Sequence, residues 1–396
     1  MSELAVRPEE RPALAALFSP DHVENPYPAY AKWRSERPVA RPRENLFVFS
    51  RYQDCAAVLS DPAFSHVPND VATDEDNASN MFRLEPPDHT RLRRLVSRAF
   101  TPASVRALMP RIEATTSELV GEFGPRFDVI DQLARPLPVR VVSELLGIPE
   151  ADRPKLATWA EQLSRSTDFR FLIPSEVRPM MRAARDGFHE YLLALLHKRR
   201  IEPGDDLVSA LVHVHDENST LTEHEIIITC RLLLIAGYET TRGLIGGCVL
   251  ALLNHPAQLA ALQSAPDLID KCIEESLRYD PPVQLLARIA LKDAAVGGTT
   301  VPAGARALVL VGAANRDEAL GDDPEVFDIT RDTRRHLSFG HGIHFCLGAS
   351  LGRAEAAIAL RHLLPLLPEC RMTQRPDWKP HTALRGLEHL WLTTSR

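Results

Sequence analysis

A chain of 396 residues is long enough for two to three ordinary domains or one large enzyme fold. Apolar residues make up 44% and charged residues 25%, the balance of a chain with a packed core, and a net charge of -7 gives no global basic surface for nucleic acid. With 31 prolines against 19 glycines, the composition reads as helices ended by prolines rather than a β-barrel or a collagen-like chain.

No internal repeat, low-complexity tract or Gly/Ser linker divides the chain. In the first thirty residues the longest apolar run, Ala13–Phe18, is too short for a signal or a membrane span. From Asn25 to Ser60 a short helix is followed by a strand at Leu46–Phe49. Phe64–Glu85 is polar and acidic and reads as a mobile loop. Asp88, after Pro86-Pro87, is the expected N-cap of a helix. In that helix Leu92, Leu95, Val96, Ala99 and Phe100 share an apolar face, while Arg91, Arg94 and Arg98 form a basic one. His89 and Arg93, four apart, share a side.

Thr222-Glu-His-Glu225 is a capping-box pattern that opens a helix running to Leu253, before Asn254-His-Pro256. Its length is roughly 45 Å at the usual helical rise. The stretch Leu232–Leu253 is apolar nearly all round but holds Glu239, Arg242 and four glycines, so it reads as a buried core helix and not a membrane span. A further helix spans Asp267–Tyr279 and stops at Pro281-Pro282. Strand-like pieces follow at Leu285–Ala290, Ala294–Val296, Ala307–Val311 and Leu387–Leu392, with a last helix at Leu347–Leu367. Long helices with few short strands and no βαβ repeat predict a mainly α fold.

The six cysteines lack C-x-x-C pairs, which predicts no disulfide framework and a reducing, cytoplasmic setting. One of them has chemical surroundings. In Phe339-Gly-His-Gly-Ile-His-Phe-Cys346-Leu-Gly348 the thiol stands where a helix begins, and free N–H groups and the macrodipole favour a thiolate there. Gly340 and Gly342 let the backbone fold around the sulfur, and Gly348 permits close approach of a flat ligand. A lone cysteine beside a turn is most often an inert buried thiol. Here three other segments agree with it: Glu275-Ser-Leu-Arg278, Ala236-Gly-Tyr-Glu239-Thr240-Thr241 and His89-Thr-Arg-Leu-Arg93. In order and spacing the four resemble the cysteine loop F-G-x-G-x-H-x-C-x-G, the E-x-x-R pair, the oxygen-activation motif and the haem-propionate helix of the bacterial cytochrome P-450 enzymes, from about Asn25 to near the C-terminus.

The resemblance implies one haem domain over residues 1–396, with 1–24 a flexible segment. It implies a helix-rich triangular prism with small β-sheets, the haem lying between the long central helix and the cysteine-loop helix. Cys346 would be the thiolate ligand of a b-type haem, since no C-x-x-C-H exists for covalent attachment. Phe339, Gly340, His344 and Gly348, with Ala236 and Gly237, would cradle the haem, and His89, Arg93, Arg288 and His344 would bind its propionates. Glu239 and Thr240 would deliver protons to O2 at a helix distortion over Gly237–Thr240. Read without the family, the Thr240 hydroxyl simply bonds back to the Ala236 carbonyl. Glu275 and Arg278 would be a buried structural pair. Val326 stands where some members place an arginine, which leaves Arg316 or Arg331 as the third partner.

The implied activity is monooxygenation of an apolar organic substrate of polyketide- or macrolide-like secondary metabolism, free or bound to a carrier protein. Hydroxylation is the default, with epoxidation or aryl coupling open. Electrons would come from NAD(P)H through a ferredoxin reductase and a ferredoxin, with the arginine face of the His89 helix as a docking candidate. The resemblance places Leu233, Ala236, Val283, Leu285, Leu286, Thr382 and Ala383 around the substrate, with parts of Ser65–Glu85 and Phe169–Met181. Neither nucleic acid nor a membrane is expected as a partner. A non-catalytic haem sensor or recruitment protein is the alternative in another class. A second rival is a serine hydrolase: Gly348-Ala-Ser350-Leu-Gly352 fits G-x-S-x-G, and Asp377 and His381 or His389 follow in order, but the helical pattern lacks the sheet that motif requires. A zinc site at His344 and Cys346 lacks further ligands at the usual spacing.

Overall fold

A computed structural model describes residues 20–66, 80–167, 173–216, 219–333, 335–380 and 383–394. The longer helices, in chain order, are α1 (Tyr27–Glu36), α2 (Tyr52–Ser60), α3 (Asp88–Ala99), α4 (Pro102–Gly121), α5 (Pro136–Leu146) and α6 (Arg153–Ser164). They continue with α7 (Arg178–Ile201), α8 (Leu207–His213), α9 (Glu223–Asn254), α10 (Pro256–Ser264), α11 (Ile269–Tyr279) and α12 (Ala349–Leu363). The strands used below are β1 (Val39–Arg43), β2 (Leu46–Phe49), β3 (Phe64–Ser65), β4 (Arg126–Asp128), β5 (Leu285–Ala290), β6 (Ala294–Val296), β7 (Thr299–Val301), β8 (Arg306–Leu310), β9 (Cys370–Met372) and β10 (Trp391–Thr394). The chain divides into two compact units.

The first unit comprises residues 1–72, 246–346 and 375–388. Its centre is a five-stranded sheet in the order β1-β2-β8-β5-β3. β8 runs antiparallel to β5, pairing Ala307 with Arg288, and parallel to β2, pairing Ala307 with Phe47. Phe47, Phe49, Val58, Ala307 and Val309 form one apolar cluster, which seats α2 on the sheet. β6 and β7 form a hairpin across Gly297 and Gly298, both at positive φ. Of the segment expected to be flexible, Pro20–Glu24 is a short helix and His22 is buried with its ring against Tyr30 at 5.1 Å, while the rest lies outside the described residues.

The second unit comprises residues 73–245, 347–374 and 389–396. It holds α3–α8, the first two-thirds of α9, α12 and the small sheet β9-β10-β4. α6 rests on α7 through Trp159, whose ring meets those of Phe188 and Tyr191 at 5.7 and 5.6 Å. Gly187 permits that approach, because a Cβ there would lie 3.3 Å from Trp159 Nε1. The expected strand at 387–392 is broken into Leu387–His389 and β10. The break has a cause: Leu390 donates its N–H to Asp128 Oδ1 at 2.9 Å instead of to a ladder.

The α9 helix starts at its capping box: Thr222 N donates to Glu225 Oε2 at 2.8 Å, and Glu225 N donates to Thr222 Oγ1 at 3.2 Å. Asp88 is not the N-cap of α3. That position is Pro87, and Asp88 lies in the first turn, where its charge still faces the positive helix end. Among the described residues no single helix is long and apolar enough to cross a membrane. All six cysteines are free thiols.

Candidate active site

In the first unit the cysteine loop is held by its own backbone. Cys346 N donates to Phe339 O at 2.9 Å, Gly340 N to Leu337 O at 2.8 Å, and Phe345 N to Gly342 O at 3.1 Å. The turns require φ of +71° at Gly340 and +70° at Gly342. A Cβ at Gly342 would sit 2.8 Å from Leu59 O, so this glycine is needed for space as well as for conformation. The Cys346 thiol is half-buried. It lies two residues before the Gly348 N-cap of α12, so the helix begins slightly later than the expected start at Leu347. Phe339 and Phe345 flank the loop with ring centroids 6.3 Å apart, and the His344 ring packs on His66 at 4.6 Å. Arg288, on β5, is buried and donates from Nη1 to Ala287 O at 2.9 Å.

Linked to the loop through Asn315 and Ser338 is the Glu275–Arg278 pair on α11, at 0% and 2% exposure. Arg278 grips both carboxylate oxygens, Nε to Oε2 at 2.8 Å and Nη2 to Oε1 at 2.7 Å. Its remaining N–H groups reach the carbonyls of Asn315, Pro324 and Val326 at 3.1, 2.7 and 2.9 Å. The third basic group is Arg331, with Nε 3.6 Å from Glu275 Oε1. Arg316 is engaged elsewhere, with Glu325 at 2.8 Å and over the rings of Tyr27 and Tyr279. Buried Asn315, which the sequence did not single out, links this network to the loop. It accepts from Leu337 N at 2.7 Å and donates to Ser338 Oγ at 2.8 Å.

In the second unit α9 is buried along most of its length, but one stripe is partly exposed. That stripe includes Leu233, Ala236, Gly237 and Thr240, spaced i, i+3, i+4, i+7, so four residues named from the sequence share one face. Thr240 Oγ1 donates to Ala236 O at 2.5 Å. The helix is continuous through Gly237–Thr240, the turn at which the resemblance implies a distortion. Glu239 is buried on another side, near Arg242. On α3, His89 is buried, and burial together with the neighbouring Arg93 charge lowers its pKa, which favours a neutral imidazole. α12 approaches α9 closely, since a Cβ at Gly352 would lie 3.8 Å from Thr241 Oγ1.

Of the remaining substrate-side residues, Val283 is partly exposed and bridges Leu384, Leu286 packs against the sheet core, and Leu285 and Ala383 are buried. Thr382, and with it His381, lies outside the described residues, as do 67–79 and 169–172 of the two expected substrate-side segments. The hydrolase pattern fails on structure. Ser350 is exposed in the first turn of α12, not on a strand-to-helix elbow, and His389 Nδ1 is bonded to Asp128 Oδ2 at 2.6 Å.

These residues fit a haem by their chemistry. The loop offers a sulfur to iron, and imidazole and guanidinium groups are the donors two propionates need. Gly348 leaves its face open, since a Cβ there meets nothing within 4 Å. Residues 155–367 match the family described as cytochrome P450. The chain is 40% identical over 388 residues to the cytochrome P450 monooxygenase PikC of Streptomyces venezuelae, covering 93% of this chain and 91% of that one. It is 36% identical over 408 residues to the polyketide biosynthesis cytochrome P450 PksS of Bacillus subtilis, covering 96% and 99%. Its fold matches the solved structure of P450BioI in complex with a fatty-acid-ligated acyl carrier protein at a TM-score of 0.89 and 36% identity, over 95% of this chain and 100% of that chain. A cysteine loop, a buried E-x-x-R pair and full-length likeness of this order have one meaning: the chain belongs to the cytochrome P450 family.

Proposed function

We propose that this monooxygenase inserts one oxygen atom from O2 into an apolar, polyketide- or macrolide-like metabolite, with Cys346 as the ligand to its haem iron. The observation that carries the assignment is the loop itself, in which the Cys346 N–H is fixed on Phe339 O across two left-handed glycines. As a cytochrome P450 the enzyme uses haem, O2 and electrons delivered by redox partners. Once bound, with the Cys346 thiolate as its ligand, the haem would supply the oxygen-activating chemistry.

The chain's own residues have separate tasks in this reading. His89, Arg93, Arg288 and His344 hold the propionates through charge and N–H donation. Thr240 presents a hydroxyl on the partly exposed stripe of α9, and Glu239 moves protons toward that stripe. Leu233 and Ala236 keep it apolar, which suits a hydrocarbon-rich substrate. The single haem domain takes electrons from a ferredoxin in the cytoplasm, a compartment in keeping with six free thiols. The substrate is free or carrier-bound, the latter supported by the likeness to P450BioI with its acyl carrier protein.

The test is the absorbance of the purified holoprotein, reduced with dithionite and exposed to carbon monoxide. A strongly red-shifted Soret band that Cys346→Ser abolishes is expected. Haem bound with the band at the position of histidine or thiol ligation, or no haem at all, would overturn the assignment.

A further inference from the structure

Three residues around Glu239 have no part in the reading above. Arg242, one helical turn on, is 1% exposed and ranks among the largest fully buried side chains of the protein. Its Nη1 lies 3.9 Å from Glu239 Oε1 and 3.7 Å from Oε2 of Glu161, which sits on α6. Both distances exceed a direct hydrogen bond, so between these atoms the attraction is one of charge. The guanidinium is shared between a buried carboxylate and one whose side chain is 46% exposed. Tyr238 holds the second carboxylate in place, donating from Oη to the same Glu161 Oε2 at 2.5 Å. Burial and the Glu161 charge push the Tyr238 hydroxyl well above its usual pKa, so it remains a donor across the working range. Trp159, packed over Gly187, sets the position of α6 and hence of Glu161.

We propose that Glu161, Tyr238 and Arg242 are positioning residues for Glu239: a guanidinium shared with Glu161 compensates the Glu239 charge from 3.9 Å, by attraction instead of a direct bond from that nitrogen. The inference rests on the proton-delivery role proposed for Glu239. The same guanidinium nitrogen lies within 4 Å of both carboxylates, so the charge of Glu161 and that of Glu239 both act on it. Loss of Arg242 removes this attraction from a buried carboxylate, whereas loss of the Glu161 charge removes a competing attraction on the guanidinium.

The experiment uses the holoenzyme with NADPH, a surrogate ferredoxin and its reductase, and no organic substrate. Electrons then leave as hydrogen peroxide or as water, and water formation needs the additional protons. Arg242→Met should raise the peroxide fraction severalfold and change the solvent isotope effect on NADPH oxidation, with Arg242→Lys recovering most of the wild-type behaviour. The infrared C–O stretch of the reduced carbon monoxide complex supplies a readout apart from turnover. Arg242→Met and Glu161→Gln remove opposite charges and should move it in opposite directions. Tyr238→Phe should move it in the same sense as Glu161→Gln, by a smaller amount. If Arg242→Met does not fold, Glu161→Gln and Tyr238→Phe decide the question. Wild-type peroxide fractions and an unmoved C–O stretch in the variants that fold overturn the proposal. Glu239→Gln separates the two readings: if it too behaves as wild type, the role given to Glu239 fails. If it alone is impaired, only the positioning set fails.

Discussion

Glu355 of α12 is a carboxyl group in a place built for apolar side chains. It is 2% exposed, its Oε2 has no hydrogen-bond partner among the described residues, and burial pushes its pKa up to about 8. In the unfolded chain the same group titrates near its ordinary value of 4.5. Between those values the folded protein keeps the proton and the unfolded chain has lost it. Stability from this residue is therefore complete below the lower pKa and falls as pH rises toward 8, with a slope of about 1.4 kcal/mol per pH unit, and levels off above it. Glu355→Gln keeps the shape and removes the titration. Urea-denaturation midpoints of the holoprotein at pH 6 and pH 8 should differ less in the variant than in the wild type, with the variant the more stable of the two at pH 8. Thr240 makes the complementary case, in which function rather than stability is sensitive. Its hydroxyl already bonds Ala236 O within the helix, so Thr240→Ala should leave the unfolding free energy within about 0.5 kcal/mol of wild type. In the proposed role the variant should consume NADPH but release mostly peroxide, measured by a peroxide assay in a ferredoxin-driven reaction.

At the level of elements, the cysteine loop depends on two glycines in different ways. Gly342 has a φ of +70° and a backbone oxygen 2.8 Å from where a Cβ would be. Gly348 has an ordinary φ of −84° and open space. Gly342→Ala must strain or shift the loop, at a cost of about 1–2 kcal/mol from the backbone alone. It should lower the melting temperature and the haem content together. Gly348→Ala should leave the melting temperature of the haem-free protein unchanged while weakening haem retention, read from the Soret-to-280 nm ratio after dilution. Local chemistry of this kind was legible in the sequence. The Thr222–Glu225 cap, the length of α9, the Thr240 back-bond and the shared face of Glu275 and Arg278 all follow from spacing within one or two helical turns. What was not legible depends on contacts between distant segments. Arg316 and Arg331 are equivalent candidates in sequence. Only folding stacks the first on Tyr27 and Tyr279 and turns the second toward Glu275. Likewise Tyr238 and Arg242 stand beside the motif, but their partner Glu161 is 77 residues away from Tyr238. Glu355 carried no signal at all, because its burial follows from how α12 is surrounded and not from its own neighbours in sequence.

Over the whole molecule the net charge is -7, so a basic face is a local departure from the average and a natural place for an acidic redox partner. The sequence predicts that face on α3 from Arg91, Arg94 and Arg98. Folding divides the three. Arg94 and Arg98 are exposed, while Arg91 is half-buried in an ion pair with Glu225 at the start of α9. Arg91 therefore ties α3 to α9 and is not available to a partner on the same terms. The proposal of a ferredoxin donor thus rests on Arg94 and Arg98, and the two classes of arginine should respond differently to mutation. Arg94→Glu should slow ferredoxin-driven haem reduction severalfold at low ionic strength. The deficit should shrink toward zero near 1 M salt, where the screening length is about 3 Å. Arg91→Ala should instead lower stability, with Glu225 left without its guanidinium, and any effect on reduction should show little salt dependence. Stopped-flow reduction rates across a salt series, with dithionite reduction as the partner-free control, measure both. Equal rates for Arg94→Glu and wild type at low salt would remove this face as the docking site and leave the electron donor to be sought elsewhere on the surface.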